Sequence, residues 1–215
     1  MTILILSNTA NVEYYNMLEN CISSIGDNKI VVVETNSQLK NKNIPLSNKC
    51  KFIFPEEKFN YNRFLNIGLS DITDDRIIIS NNDVIFHPGC IPEINSKLSI
   101  YDSVSPCDTN NPKHQTHLFL NSYTEGYDIG LHVTGCCIGL TRQVLNVIGK
   151  FDEAFNFWYQ DNDYANILKK NNLKSALLRD AKITHLSFQS HKLLKNDLYS
   201  MTHGLEETFK QKWTT

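Results

Sequence analysis

Three groups of residues have the types and spacing to do chemistry. The run Ile77-Ile78-Ile79 leads through Ser80 into Asn81-Asn82-Asp83. An acid just beyond a buried strand stands at the carboxyl end of a sheet, where open α/β proteins bind ligands. Late in the chain Ile183-Thr184 runs into His185. Asp83 and His185 are both suitable ligands for a hard or borderline divalent cation. Between them lie Asp152-Glu153 and Gln160-Asp161-Asn162-Asp163. Asp161 sits among Trp158, Tyr159 and Tyr164, and partial burial beside rings raises a carboxyl pKa and makes it a usable proton acceptor. Plainer roles stand beside these. Asp83 suits a turn or helix cap, Asp161 and Asp163 suit first-turn acids that complement a helix dipole, and His185 suits a hydrogen-bonded core histidine. His114 and His117 have i,i+3 spacing, but no further ligand completes a metal site around them.

The elements that must position these groups read as strands alternating with helices. Residues 3–6, 30–33 and 76–80 are short runs, mostly apolar, as in strands covered on both faces. Residues 51–54 form a third strand in chain order, ended by Pro55. Helical spacing appears over 8–25, 59–69, 88–98, 142–148 and 160–170. Residues 103–105, 134–141, 175–178 and 182–185 read as later strands. Residues 107–132 break the rhythm, with Pro112, two glycines and scattered aromatics, and read as a long functional loop. A last helix is expected over 192–212, with Leu194, Leu198, Met201, Leu205, Phe209 and Trp213 in one stripe. Alternation of this kind predicts an α/β fold with a mixed, mostly parallel central sheet flanked by helices.

The residues just beyond the strands place polar groups along one edge: Ser7, Asn8 and Thr9, then Glu34, Thr35 and Asn36, then Asn81, Asn82 and Asp83, then His185. In this order the pieces resemble the GT-A glycosyltransferases of the large family 2. The matching stretches are residues 31–37, 59–68, 78–84, 134–137, 149–153, 158–164 and 183–185, and the likeness covers roughly residues 1–188. It implies a single GT-A (Rossmann-like) catalytic domain over 1–188. Residues 189–215 would then be a C-terminal helix packed on that domain or in an oligomer interface.

The resemblance also implies roles. Asn81-Asn82-Asp83 corresponds to the family's DxD motif, with Asp83 holding Mn²⁺ or Mg²⁺ against the diphosphate of a UDP-, GDP-, dTDP- or CMP-linked sugar. His185 corresponds to a late histidine that joins the metal. Glu34 and Asn36 fall near the nucleoside, Arg63 and Asn66 on the helix flanking the nucleobase, and Thr9 and Asn82 in the same donor-binding set. Asp161 corresponds to the general base of an inverting transfer, with Gly135, Trp158 and Asp163 on the acceptor side. Glu34 stands where the family usually carries aspartate and Gln160 where it usually carries glutamate, while Asn81 replaces the motif's first acid, as it often does in family 2. The acceptor implied is a glycan, a protein, a lipid-linked sugar or a modified nucleobase.

Composition bounds this reading. The chain has 215 residues with 21 basic and 23 acidic side chains, so no global positive field exists to grip a phosphate backbone. The six cysteines contain no CxxC pair, which argues against zinc-ribbon spacing and for reduced, mostly buried thiols in a cytosolic protein. The opening segment lacks a basic signal-peptide region, and no apolar run approaches the roughly 20 residues of a membrane span. A cytoplasmic protein is expected, in the host cytoplasm if the AT-rich flavour of 25 asparagines is viral. A homodimer through the last helix is open. Two other functions compete. A sugar nucleotidyltransferase would usually place glycines after the first strand, where Ser7-Asn8-Thr9-Ala10 has none. A nucleotide-sugar-binding protein without catalysis would have no need of Asp83, Asp161 and His185 together.

Overall fold

A computed structural model describes residues 1–40, 45–117, 121–187 and 203–214. Its centre is β1 (Thr2–Ser7), hydrogen-bonded in parallel to β2 (Lys29–Glu34) on one side and β4 (Arg76–Asn81) on the other. β3 (Lys51–Ile53) extends the parallel set beyond β2. These strands read as unbroken apolar runs because both faces are covered. Ile3, Ile5, Ile30, Val32 and Ile78 enter one core, while Leu4, Leu6, Val31, Val33, Ile77 and Ile79 enter the other. The two-residue period of a strand sorts them. Each such side chain taken wholly out of water contributes about 1.5–3 kcal/mol of transfer free energy.

The first core is capped by α1 (Val12–Ile25) and α3 (Cys90–Lys97), the second by α2 (Tyr61–Ser70), α5 (Arg142–Ile148) and α6 (Gln160–Lys170). Helix α2 lies close on the sheet. A Cβ on Gly68 would run into Leu4 Cδ1 and stand 2.9 Å from Val33 Cγ2. Helix α1 starts at Val12 rather than at residue 8, because Asn11 is the cap and its side chain accepts from the Tyr14 amide. Residues 8–10 are thereby released into the loop at the end of β1.

The other half of the sheet is mixed. β8 (Cys137–Thr141) runs antiparallel between β4 and β6 (Ser103–Asp108). β9 (Ser175–His185) then lies parallel to β6, and β5 (Val84–Phe86) and β7 (Tyr123–Glu125) pair antiparallel with β9. Among the described residues this makes nine strands, with β1, β2, β3, β4, β6 and β9 pointing one way and the other three opposed.

Three expectations change. Residues 175–185 form one strand, not two: the break at Arg179-Asp180 is absorbed by a register shift, with Pro106 opposite Leu178 and Cys107 opposite Lys182. The long loop at 107–132 contains α4 (Pro112–His117) and β7. The last helix is α7 (Glu206–Trp213) within the described residues, so Leu194, Leu198 and Met201 lie outside them. All six cysteines are free thiols, with Cys21, Cys90, Cys107 and Cys137 buried. No helix among the described residues is long and apolar enough to cross a membrane.

Candidate active site

The carboxyl ends of β1, β2 and β4 open onto a cleft of about 730 Å³. Its lining includes Ser7, Asn8, Thr35, Asn82 and Asp83 from the strand ends, with Tyr61 from α2, Gly135 and Cys136 from the segment before β8, and Asp161 from α6. Phe157, Trp158 and Tyr159 form an aromatic rim, and Trp158 is 45% exposed.

Asp83 follows β4 in a tight turn, and β5 pairs antiparallel with the end of β9 so that Val84 lies opposite His185. The Leu186 amide donates to the Asp83 carbonyl at 3.0 Å. These backbone ties bring the side chains together, with His185 Nε2 3.2 Å from Asp83 Oδ1. Burial pulls the His185 imidazole down, but hydrogen bonds to Asp83 and Cys136 and their charges outweigh it, and it is pushed up to about 10. The donor set is one carboxylate and one imidazole. No group of three or more His, Cys, Asp or Glu side chains among the described residues forms a closed metal cage. A divalent cation held by this carboxylate and imidazole would have to take its other ligands from a phosphorylated substrate and water.

Glu34 is fully buried at the end of β2. Its Oε1 accepts from the Thr9 amide at 3.0 Å and the Asn36 amide at 2.7 Å. Asn36 Nδ2 donates to the Thr9 carbonyl at 2.8 Å. The carboxylate thus staples the loop after β1 to the loop after β2. Its Oε2, Thr9 Oγ1 and Thr35 Oγ1 are buried polar atoms with no hydrogen-bond partner among the described residues. Such atoms carry a cost until something pairs with them. Asn82 is also buried, its Nδ2 3.3 Å from Ser7 Oγ.

Asp161 sits in the first turn of α6, on the cleft. Its Oδ1 accepts from the Asn162 amide at 2.9 Å. Burial pushes its carboxyl above the ordinary aspartate value, with backbone hydrogen bonds pulling only partly back. A base of raised basicity facing a cleft is suited to take a proton from a bound hydroxyl. Gly135 lies against it: a Cβ there would meet Asp161 Oδ2 at 3.5 Å.

Six of the expected site residues are not in the cleft lining: Thr9, Glu34 and Asn36, which form the staple, and Arg63, Asn66 and Asp163. Asn66 is not on the cleft; its side chain donates to the Phe151 carbonyl and accepts from the Phe151 amide, both at 2.9 Å. Arg63 is held by Glu57 and, at 3.0 Å, by Glu153. Both residues fasten α2 to the segment that precedes α6 instead of flanking a base pocket. Asp163 is 2% exposed and its carboxylate is taken up by Trp213 and Lys212 of α7, so it does not reach the cleft.

Two residues with parts in the site had no role assigned to them from the sequence. Tyr61, whose phenol is pushed up by burial, lines the cleft with its hydroxyl 3.5 Å from the Gly135 carbonyl. Cys136 contacts His185. Their signal was position alone: Tyr61 opens α2 after the Asn60 cap, and Cys136 precedes β8.

The fold and the strand-end cleft define an α/β protein of the glycosyltransferase type of fold. The solved structures most like it include S. aureus TarS, at TM-score 0.64 and 13% identity, covering 85% of this chain and 35% of that one. A second is the mannosyltransferase PcManGT from Pyrobaculum calidifontis in complex with GDP-Man and Mn²⁺, at TM-score 0.62 and 11% identity, covering 90% and 59%. Residues 1–349 of S. aureus TarS give TM-score 0.58 and 13% identity, covering 83% and 60%. The chain thus spans about a third to three-fifths of the length of these proteins. No family model and no curated protein sequence matches it.

Proposed function

We propose that this protein is an inverting, metal-dependent glycosyltransferase that moves a sugar from a nucleotide-sugar donor to an acceptor hydroxyl. The observation that carries the proposal is that one cleft is lined both by the Asp83–His185 pair and by Asp161, raised in basicity. The GDP-Man and Mn²⁺ bound by PcManGT support the same reading of the shared fold.

In this reading Asp83 and His185 hold Mn²⁺ or Mg²⁺ beside the donor diphosphate. The ion, when bound, supplies positive charge to the leaving nucleoside diphosphate. Thr35, the one of the three that lines the cleft, would hydrogen-bond the nucleoside through its hydroxyl, with Glu34 and Thr9 holding the loop that carries it. Asp161 accepts the proton of the acceptor hydroxyl as that oxygen attacks the anomeric carbon from the face opposite the leaving group. Trp158 offers an aromatic face to a sugar ring at the rim. The catalytic unit spans residues 1–188.

The test is nucleotide release from individual UDP-, GDP-, dTDP- and CMP-sugars with and without Mn²⁺. Release that needs the ion and is lost in Asp83→Ala is expected. Release indifferent to both changes overturns the reading. Formation of a nucleotide-sugar from a sugar phosphate and a nucleoside triphosphate would replace it with a nucleotidyltransferase.

A further inference from the structure

Helix α7 reaches back 50 residues to grip the segment that carries the proposed base. The Trp213 indole N–H donates to Asp163 Oδ1 at 2.8 Å. Lys212 Nζ stands 2.8 Å from the same oxygen and 2.7 Å from Asp152 Oδ2. The Phe209 ring lies 5.2 Å from Tyr159 and 6.2 Å from Phe155, and the Lys212 ammonium is 5.3 Å above the Phe155 ring. One turn and a half of helix thereby touches both ends of the 152–163 segment.

That segment has a weak point. Tyr159 precedes α6 with φ 65° and ψ 0°, in the left-handed region. A residue with a Cβ stays there only where its surroundings hold it. The Asp163 amide donates to the Tyr159 carbonyl at 2.8 Å, which closes the first turn of α6 from inside. Asp161 lies between these two residues, and its carboxylate is tied to the local backbone through the Asn162 amide. Its direction is therefore set by the turn at Tyr159 and the first coil of α6. Phe209 covers the turn, and Trp213 with Lys212 pins the coil.

We propose that α7 is a positioning element for Asp161, with Phe209, Lys212 and Trp213 as its contact residues. None of these contacts reaches β1, β2 or β4, so the helix acts on the segment that carries Asp161 and not on the strand ends that carry Asp83. The catalytic part of this inference rests on Asp161 being the base; the mechanical part does not.

The experiment uses the full chain with Trp213→Phe, which removes one N–H, and Phe209→Ala, which removes the ring cover. Amide hydrogen exchange over residues 157–163 should quicken by about tenfold or more in both, with β1 and β4 unchanged. With whichever nucleotide-sugar the wild type turns over, kcat should fall about 10²-fold, a loss of the size that misplacing a catalytic group produces. Donor KM should stay unchanged, and Phe209→Tyr should restore kcat. Unchanged exchange at 157–163 overturns the proposal, as does a raised donor KM with kcat intact. If the wild-type chain turns over no donor, the proposed function fails, while the exchange data still decide whether α7 holds the segment.

Discussion

His185 Nε2 lies 3.2 Å from Asp83 Oδ1, across two strands that meet only because β5 turns back to pair with the end of β9. The carboxylate comes from one half of the sheet and the imidazole from the other, and the carboxyl ends of β1 and β2 stand beside them. A cation held there by this carboxylate and imidazole, as proposed, would have coordination positions left for phosphate oxygens and water.

Substitution of the pair should therefore act through the metal. Asp83→Ala should bring Mn²⁺-stimulated nucleotide release to background. His185→Ala should keep measurable release but weaken Mn²⁺ activation about tenfold or more, each tenfold being 1.4 kcal/mol of binding. Titration of activity against Mn²⁺ concentration checks both. Equal activation curves for His185→Ala and wild type would remove the histidine from the site.

Asp161→Asn should retain donor binding and lose transfer by about 10²–10⁴-fold, the usual cost of removing a general base. The pH behaviour follows from its raised carboxyl. The active form is ionised, so activity should fall as pH drops through a value above the ordinary aspartate range. Stability runs the other way. A carboxyl raised on folding binds its proton more tightly in the folded chain, so its ionisation costs stability as pH rises. Asp161→Asn removes that cost, and its Tm at about pH 7.5 should equal or exceed that of the wild type in a thermal melt.

Asp83 and His185 are legible as residues at strand ends, and Asp161 from its place among Trp158, Tyr159 and Tyr164. Asp83 after 76–80 and His185 after 182–185 needed only the strand ends. β5 was not legible: three residues between a turn and a proline carry no period. Arg63, Asn66 and Asp163 were misplaced for another reason. Phe151, Glu153, Lys212 and Trp213 occupy them, partners about 50 to 90 residues away. Local spacing marks them as polar residues on helices near the site, and only the packed fold shows that their hydrogen bonds are already taken. The tail stripe was read as apolar packing, yet its working contacts include an indole N–H and an ammonium.

Gly68→Ala tests the close seat of α2 on the sheet. The added methyl meets Leu4 and Val33, both held in the core. Overpacking of this kind typically costs about 1–3 kcal/mol, read as a lower midpoint in urea. The atoms nearest the added methyl belong to Leu4 and Val33 and not to the strand-end loops, so Mn²⁺ activation of the folded variant should be unchanged. A variant as stable as the wild type would mean that α2 shifts freely.

The segment between β6 and β8 should loosen in mild acid, because two buried histidines hold it in their neutral form. His114 Nδ1 accepts from the Asp108 amide at 2.9 Å, and its Nε2 faces the Gly130 carbonyl at 3.2 Å. His132 Nδ1 accepts from the Asp128 amide at 3.2 Å, and its Nε2 pairs with Thr124 Oγ1 at 2.7 Å. Protonation takes away both acceptors. Burial holds each imidazole below the ordinary histidine value, opposed by Asp108 near His114 and by Asp128 near His132. The unfolded chain then binds these protons more readily than the folded one. Their contribution to stability is complete above about pH 6.5, the unperturbed histidine value, and is lost as pH falls from there toward the lowered folded values. Thermal melts between about pH 7.5 and 5 should show a falling Tm, with hydrogen exchange rising first at 108–114 and 128–132. Asp108 also accepts from the His185 amide at 3.1 Å, so Mn²⁺ activation should decline over the same range. A flat Tm across that window would show that neither ring is held neutral by its amide donor.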